Sequence, residues 1–407
     1  MTATRKIRIN GLSAAALAVA AALAMLSGGM AQERTLEELK AEAQARAERN
    51  AYPLVGLKPE EVREALSRLK SLDRDEWAAS WIIVGDRYMA KAQGEVSSSP
   101  AQADKDFLQA WLYYSFGRWP VPNSPGKQKA YEKALQAYLA HGRLLDPPLE
   151  VVHVPFEGKE IVAYAQIPKS PKPAPIVVAI CGLDSRKEDM AERFRPMLHD
   201  GVGFLALDAP GAGQAPIKAA PGAERMLVQA LDYAFQRPDV DKSHVVVYGG
   251  SFGGFWATIL AVTEKNRLRA VVAQSPPEHE TFSRARTMEL PHNREYLFDY
   301  LAAQLFVYEG ATDIETLAAA REQMSLKARG LLDKPTAPML VIGGVRDTQV
   351  PIADVELLLN SGQTPKEAWI NPLGGHMGRD AKTWPDSAVF ERITRPWILR
   401  QLASKAE

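Results

Sequence analysis

The sequence predicts an α/β fold, with a mostly parallel sheet covered by helices on both faces and an all-helical domain in front of it. From about residue 147 onward, aliphatic and β-branched runs alternate with helical segments, as expected for parallel strands linked by helices. Before that point the chain is typical of helices separated by breaks rich in Gly, Pro and Ser. The helical segments are 35–51, 59–71, 75–91, 101–117 and 127–144. We therefore predict a helical domain over residues 32–146 and an α/β domain over 147–407.

The N-terminal segment, residues 1–31, has the three parts of a bacterial secretory signal. Basic residues come first, an apolar run from Leu12 to Leu26 follows, and Gly29-Met30-Ala31 supplies a small-x-small cleavage site. The apolar run is short for a membrane span, although an uncleaved anchor is the alternative. We expect a periplasmic or secreted protein with no stable membrane association after cleavage. Cys181 is the single cysteine, so no internal disulfide can form.

Charge and composition exclude some functions. Lys and Arg number 49, Asp and Glu also number 49, and the net charge is therefore zero at neutral pH. This balance gives no electrostatic case for nucleic-acid binding. His279-Glu280 has no second ligand at a suitable spacing, so we expect neither a metal nor a cofactor. We expect a small-molecule substrate as partner and leave a homodimer open.

The segment after the strand Val245–Tyr248 carries the strongest chemical signal. Gly249-Gly250-Ser251-Phe252-Gly253 fits the G-x-S-x-G nucleophile elbow of serine hydrolases, and an apolar helix follows it directly. In such an elbow the strand reverses into a helix at the serine, and side chains at the flanking positions would collide with neighbouring backbone. Ser251 is therefore the predicted nucleophile.

An acid and a histidine follow in the order that such an elbow requires. Asp347 comes just after the apolar strand 338–344, and His376 lies in a glycine-rich loop after the strand 367–371. The carboxyl ends of parallel strands meet at the ligand-binding edge of the sheet. We predict that neutral His376 takes the proton of Ser251 and that Asp347 fixes the imidazole tautomer. The alternative for Asp347 is a turn former before Val350-Pro351. Most of the other six histidines lie in helices, at strand starts or before the elbow.

The oxyanion hole is predicted to use two backbone amides. One is the amide of Phe252, directly after the nucleophile, and the other is the amide of Leu183, where Gly182 permits close approach of the backbone to the substrate. Four further residues are candidate substrate contacts, with helix packing or a surface turn as the alternative. They are Glu278, His279, Tyr113 and Tyr114.

Motifs along nearly all of the mature chain resemble one family. The chain is similar to the α/β-hydrolase group that contains 2,6-dihydroxypseudooxynicotine hydrolase and the fermentation-respiration-switch esterase-like proteins. The matching segments are Trp81-x-x-x-Gly85-Asp86-Arg87-Tyr88, Ala110-Trp111-x-Tyr113-Tyr114, Tyr131-x-Lys133-Ala134-Leu135, Pro147-Pro148-Leu149-Glu150, Pro155-Phe156-Glu157-Gly158, Gly182-Leu183-Asp184-Ser185-x-Lys187-Glu188 and Gly249-Gly250-Ser251-Phe252-Gly253-Gly254. The resemblance implies an α/β-hydrolase fold with an N-terminal helical cap over a Ser251–His376–Asp347 triad. Cys181 departs from the family, which commonly has glycine there.

We expect a serine hydrolase that cleaves an ester or related acyl bond of a small organic substrate through an acyl-enzyme. The family that the chain resembles also includes enzymes with other activities. The resemblance therefore implies two alternatives, hydrolysis of a carbon–carbon bond beside a ketone and acyl transfer. A prolyl-oligopeptidase-like peptidase is a further alternative, but the N-terminal region lacks the many short strands of a propeller. A binding protein that has lost turnover is the non-enzymatic alternative, because fold alone does not establish activity.

Overall fold

A computed structural model describes residues 34–380 and 382–404. Their central element is a sheet of eight strands in the order β1-β2-β4-β3-β5-β6-β7-β8. The strands are β1 Glu150–Phe156, β2 Lys159–Gln166, β3 Ala174–Ile180, β4 Gly203–Leu207, β5 Val240–Gly250, β6 Ala270–Gln274, β7 Met339–Gly344 and β8 Lys366–Asn371. The predicted signal, residues 1–31, lies outside the described residues.

The sheet is mostly parallel. β2 pairs antiparallel with both β1 and β4, whereas β4, β3, β5, β6, β7 and β8 form a parallel series. β3, β4, β6 and β7 are almost entirely buried, as expected for strands covered on both faces. The α/β fold class predicted from the sequence is confirmed. Parallel pairing brings the carboxyl ends of β3, β5, β6, β7 and β8 to one edge.

Nine α-helices of the α/β domain lie within the described residues. They are α6 Lys187–Phe194, α7 Glu224–Gln236, α8 Phe252–Thr263, α9 Arg284–Met288, α10 Tyr300–Val307, α11 Ile314–Glu322, α12 Ile352–Asn360, α13 Asp386–Val389 and α14 Arg395–Ala403. Within the described part of the chain, no helix is both long and apolar enough to cross a membrane.

Five α-helices lie between residue 34 and the sheet, at the five segments that the sequence indicates. They are α1 Leu36–Glu48, α2 Pro59–Ser67, α3 Arg74–Glu95, α4 Pro100–Arg118 and α5 Pro125–Leu144. Local signals explain where they begin. A capping box between Thr35 and Glu38 starts α1, and proline occupies the first turn of α2, α4 and α5, where its missing N–H costs nothing.

The stretch between β6 and β7, residues 275–338, adds a second helical layer that the sequence analysis did not separate from the sheet. It contains α9, α10 and α11 and packs against the cap. Tyr296 and Leu297 are buried in one apolar cluster with Trp77 and Trp119 of the cap. Asp299 accepts hydrogen bonds from cap residues at its carboxylate. The donors are Arg74, Asn123 and Lys127. The cap is therefore joined to the α/β domain by contacts with this stretch, here called the insertion, as well as by the chain itself.

Candidate active site

The elbow at Ser251 has the backbone geometry that its glycines predict. Ser251 lies between β5 and α8 with φ 55° and ψ −123°, a conformation that L-residues rarely adopt. A Cβ atom on Gly249 would lie 2.0 Å from the carbonyl oxygen of Gly253. A Cβ on Gly253 would lie 2.4 Å from the carbonyl oxygen of Ile180. Larger residues at either position would push α8 away from the sheet. The glycines therefore allow the Ser251 side chain to project at the edge of the sheet.

Ser251, His376 and Asp347 are brought together in one chain of hydrogen bonds. Ser251 Oγ is 2.9 Å from His376 Nε2, and His376 Nδ1 is 2.9 Å from Asp347 Oδ2. The other carboxylate oxygen, Asp347 Oδ1, accepts the backbone N–H groups of Gln349 and Val350 at 2.9 Å each. These amides fix the carboxylate, so that it can hold Nδ1 as the protonated nitrogen and leave Nε2 free to accept the serine proton.

Burial and pairing act in opposite directions on the pKa values of this acid and base. Burial raises the pKa of Asp347, but His376 and the two backbone amides outweigh it and the pKa is lowered. Burial lowers the pKa of His376, but the Asp347 carboxylate outweighs it and the pKa is raised. The carboxylate therefore remains ionised and stabilises the imidazolium that forms when His376 takes a proton.

The loop that carries His376 is held by the end of β6. Met377 has φ 66°, and its backbone N–H donates to Ser275 Oγ at 3.0 Å. Gln274 Nε2 donates to the carbonyl oxygen of Met377 at 2.8 Å, and Tyr248 OH donates to Gln274 Oε1 at 2.7 Å. Residues of β5 and at the end of β6 thus position His376 against Ser251.

The loop after β3, residues 181–186, passes beside Ser251. A Cβ on Gly182 would lie 3.3 Å from Gly250 O and 3.5 Å from Ser251 Cβ, so the backbone here is close to the serine. Gly182 lines the cavity at Ser251, whereas Leu183 is buried beside it. Phe252 is the first residue of α8, where helix amides have no intrahelical acceptor. The roles of the Leu183 and Phe252 amides as oxyanion donors remain predictions.

Two buried arginines hold the carbonyl groups of this same loop, and the sequence analysis did not single them out. Arg118, at the end of cap helix α4, donates to Asp184 O at 2.6 Å and to Pro120 O at 2.9 Å. Arg186 donates to Leu183 O at 3.1 Å. A single arginine belongs to no sequence motif that would mark it in advance. Only the fold shows that a cap residue, Arg118, helps to fix the conformation of this loop.

Cys181, just before the loop, is a packed side chain. It is fully buried, and its Sγ accepts the backbone N–H of Ala209 at 3.3 Å. Burial raises the pKa of the thiol well above its ordinary value, which keeps it protonated and poorly nucleophilic.

The cavity at Ser251 has a volume of ≈ 470 Å³. Ser251 and His376 line it from the α/β domain, and Asn50, Tyr52 and Val55 line it from the segment that joins α1 to α2. A second cavity of ≈ 210 Å³ adjoins it and shares Tyr52, Val55, Asp184, Asp189 and Glu192 as lining residues. Its other walls include the cap aromatics Trp111, Phe116 and Trp119. The two cavities together lie between the cap and the sheet edge.

None of the four candidate substrate contacts lines this cavity. Tyr113 OH contacts Glu61, and Tyr114 OH donates to Asp86 Oδ1 at 2.5 Å, so both phenols pair within the cap. His279 Nδ1 is 2.8 Å from Ser325 Oγ in the insertion. Glu278 is fully buried behind α8. We therefore correct the expectation for these four residues, because each has a partner elsewhere in the fold.

The environment of Glu278 favours the protonated form of its carboxyl. Burial raises its pKa well above the ordinary value of 4.5, and its Oε2 has no hydrogen-bond partner. Thr258 Oγ1 donates to Gly254 O at 3.0 Å and lies 2.7 Å from Glu278 Oε1. A hydroxyl has one proton, so the short contact to Glu278 is satisfied when the carboxyl itself donates.

Replacing Glu278 with glutamine is expected to stabilise the protein at alkaline pH. As pH rises above about 4.5, the unfolded carboxyl loses its proton while the folded one keeps it, and the free energy of unfolding falls. The glutamine variant lacks this loss, so its advantage should grow between about pH 5 and pH 8. Urea unfolding at several pH values measures it, with exposed Glu280→Gln as control. An advantage that does not change with pH would contradict a protonated Glu278.

Among the described residues, no group of three or more His, Cys, Asp and Glu side chains is arranged to hold a metal ion.

Comparison with known proteins gives one consistent family. A family model described as Esterase FrsA-like matches residues 60–373. Esterase FrsA of Vibrio vulnificus is 28% identical over 288 residues, which cover 69% of this chain and 68% of that protein. Esterase FrsA of Vibrio parahaemolyticus is 27% identical over 336 residues, which cover 76% of this chain and 79% of that protein. The resemblance drawn from the sequence motifs is confirmed.

Solved structures show the same fold. A 2,6-dihydroxy-pseudo-oxynicotine hydrolase superposes with a TM-score of 0.71 at 20% identity, covering 88% of this chain and 95% of that one. Wild-type AbyA5 superposes with a TM-score of 0.67 at 20% identity, and the match covers 91% of this chain and 94% of that one. At such identities the likeness establishes the α/β-hydrolase fold.

Proposed function

The chain belongs to the FrsA-like esterase family and is a hydrolase, and from that premise we propose that it cleaves carboxylic esters of small organic molecules through an acyl-enzyme on Ser251. One observation carries the proposal: Ser251 Oγ, His376 and Asp347 are joined by two hydrogen bonds of 2.9 Å each. This chain of contacts opens into a cavity that the cap covers.

In the first half of the reaction, His376 Nε2 takes the hydroxyl proton as Ser251 Oγ attacks the ester carbonyl carbon. The tetrahedral oxyanion then collapses, the carbon–oxygen bond to the alcohol breaks, and His376 returns its proton to the alcohol oxygen. In the second half, His376 takes a proton from water, which attacks the acyl carbon and releases the acid. Ser251 regains its proton from His376, so the enzyme is unchanged.

The proposed oxyanion donors are the amides of Phe252 and Leu183. The Phe252 amide begins α8, so the helix dipole adds to the attraction of a negative oxygen. The 181–186 loop is held from behind by Arg118 and Arg186. Each donor that is fixed before the reaction is expected to contribute about 10²–10³ in rate.

Ester hydrolysis is favoured over cleavage beside a ketone by the position of Glu278 and His279. Carbon–carbon cleavage leaves a carbanion equivalent that must be protonated. The two residues considered for that role do not line the cavity, and their side chains pair with Thr258 and Ser325.

Labelling with a fluorophosphonate probe tests the proposal. Wild-type protein is expected to be labelled at Ser251, as located by peptide mass spectrometry, and to hydrolyse short 4-nitrophenyl esters. A folded Ser251→Ala variant should do neither. Labelling without ester turnover would point to ketone cleavage, acyl transfer or a peptide substrate. If the folded wild type is not labelled and no ester is turned over, the proposal is wrong.

A further inference from the structure

We propose that Arg379 forms a carboxylate-binding subsite in the Ser251 cavity, so that the preferred substrates are esters that also carry a free carboxylate. The inference rests on the proposed esterase function and names the substrate class of that same site.

Arg379 lies three residues after His376 and lines the cavity together with Ser251. Its side chain is half-buried, and its guanidinium carbon is 4.8 Å from the ring centroid of Tyr52, in the segment between α1 and α2. Stacking occupies the face of the guanidinium and leaves the N–H groups at its edge. Among the residues that the structure describes, none forms an ion pair or a side-chain hydrogen bond with Arg379. Its donors are therefore available to a ligand.

Each of the other charged groups on the cavity wall has a hydrogen-bond or ion-pair partner, and for Asp184 that partner is a neutral indole. Each carboxylate there has a neighbour of its own, and Arg193, the second lining arginine, is paired with one of them. The contacts are Asp184 with the Trp119 indole, Asp189 with the Arg186 backbone N–H, Glu192 with Arg195, Asp386 with Arg193, and Glu391 with Arg395. Within the described cavity wall, Arg379 is thus the cation whose charge is not neutralised by a direct partner.

The chemistry of this position favours a carboxylate. A planar guanidinium with free edge donors matches the two oxygens of a carboxylate, which it binds through two parallel hydrogen bonds. Burial raises the pKa of nearby Asp386, but Arg193 and then Arg379 lower it, so Asp386 remains ionised close to the subsite. This negative charge offsets part of the field of the arginines, and a ligand with one negative charge is favoured over a dianion.

The test compares matched ester pairs that differ in charge. Mono-4-nitrophenyl glutarate against 4-nitrophenyl valerate places the carboxylate on the acyl side. Butyryl glycolic acid against butyryl glycolamide places it on the alcohol side. The measured quantity is the ratio of kcat/KM for the charged ester to that for its neutral partner. Wild-type enzyme is expected to prefer the charged member of at least one pair, and this preference should weaken as salt is added.

Arg379→Gln is expected to lower that ratio about 10-fold to 100-fold, the range for a hydrogen-bonded charge. Arg379→Lys should retain part of the preference, because it keeps the charge but loses the paired donors. Arg346→Gln is the matched control. Arg346 is an exposed cation near the same edge of the sheet that does not line the cavity, so its loss should leave the ratio unchanged.

Two outcomes separate this inference from the proposed function. If the enzyme hydrolyses both members of both pairs and Arg379→Gln does not change either ratio, the subsite is wrong and the esterase proposal stands. If none of the four esters, nor the wider panel of short esters, is hydrolysed by a protein that is folded, the esterase proposal itself fails.

Discussion

Replacement of Ser251 by alanine is expected to lower kcat for an ester about 10⁶-fold, and Asp347→Asn about 10⁴-fold. The double variant should be no slower than Ser251→Ala alone. The physical reason is that Asp347 acts only through His376, and His376 acts on the proton of Ser251 Oγ. Once that hydroxyl is absent, the orientation of the imidazole has no proton transfer to assist. Single-turnover kinetics on a 4-nitrophenyl ester measure all three variants.

The Asp347→Asn variant should also change the pH dependence of kcat/KM. His376 must be neutral to accept a proton, so activity rises as pH passes through its pKa. Burial lowers this pKa and the Asp347 carboxylate raises it, with a net upward shift. Removing the carboxylate charge should therefore move the rising limb to lower pH. Two results would mean that the three residues do not act as one unit. One is a loss of kcat in the double variant that equals the product of the two single losses, and the other is a pH profile of kcat/KM whose rising limb does not move in Asp347→Asn.

The proximity of Ser251, Asp347 and His376 could be predicted because each residue is signalled locally. The glycines around Ser251 are required by the backbone within a few residues of it, as their near contacts show. Asp347 and His376 follow apolar strands, and parallel pairing of β5, β6, β7 and β8 brings the ends of those strands to one edge. Chain order and strand position were sufficient to predict that these three side chains meet.

The cavity wall could not be predicted in the same way, because it depends on how separate layers meet. Tyr113 and Tyr114 are adjacent on α4, and helical spacing does not reveal that both phenols pair with other cap helices. Tyr52 and Arg379 are more than three hundred residues apart and meet only when the cap closes over the His376 loop. No local pattern marks either residue.

The second large effect is expected from Asp354, a residue that the sequence analysis also missed. Asp354 is fully buried in α12, and its carboxylate accepts the backbone N–H groups of four consecutive residues at distances of 2.6–3.1 Å. The four residues are Glu278, His279, Glu280 and Thr281. The Thr281 hydroxyl donates as well, at 2.6 Å. One side chain thus fixes the start of the 275–338 insertion to the helix that follows the Asp347 loop.

Asp354→Ala is expected to lower the free energy of unfolding by about 4 kcal/mol, because several buried amide donors lose a charged acceptor together. Asp354→Asn keeps one acceptor oxygen and should cost less. Glu356→Ala, at an exposed position of the same helix, should change stability by less than about 0.5 kcal/mol. Urea unfolding with an unchanged m value measures the three variants.

The same variant links stability to the active site. The segment held by Asp354 begins at Ser275, whose hydroxyl accepts the backbone N–H of Met377, next to His376. At a temperature where Asp354→Ala remains folded, kcat should therefore fall while Glu356→Ala keeps wild-type turnover. If Asp354→Ala were no less stable than Glu356→Ala, the insertion would be held by its apolar contacts with the cap. If stability fell without any loss of kcat, the His376 loop would be positioned by β5 and β6 alone.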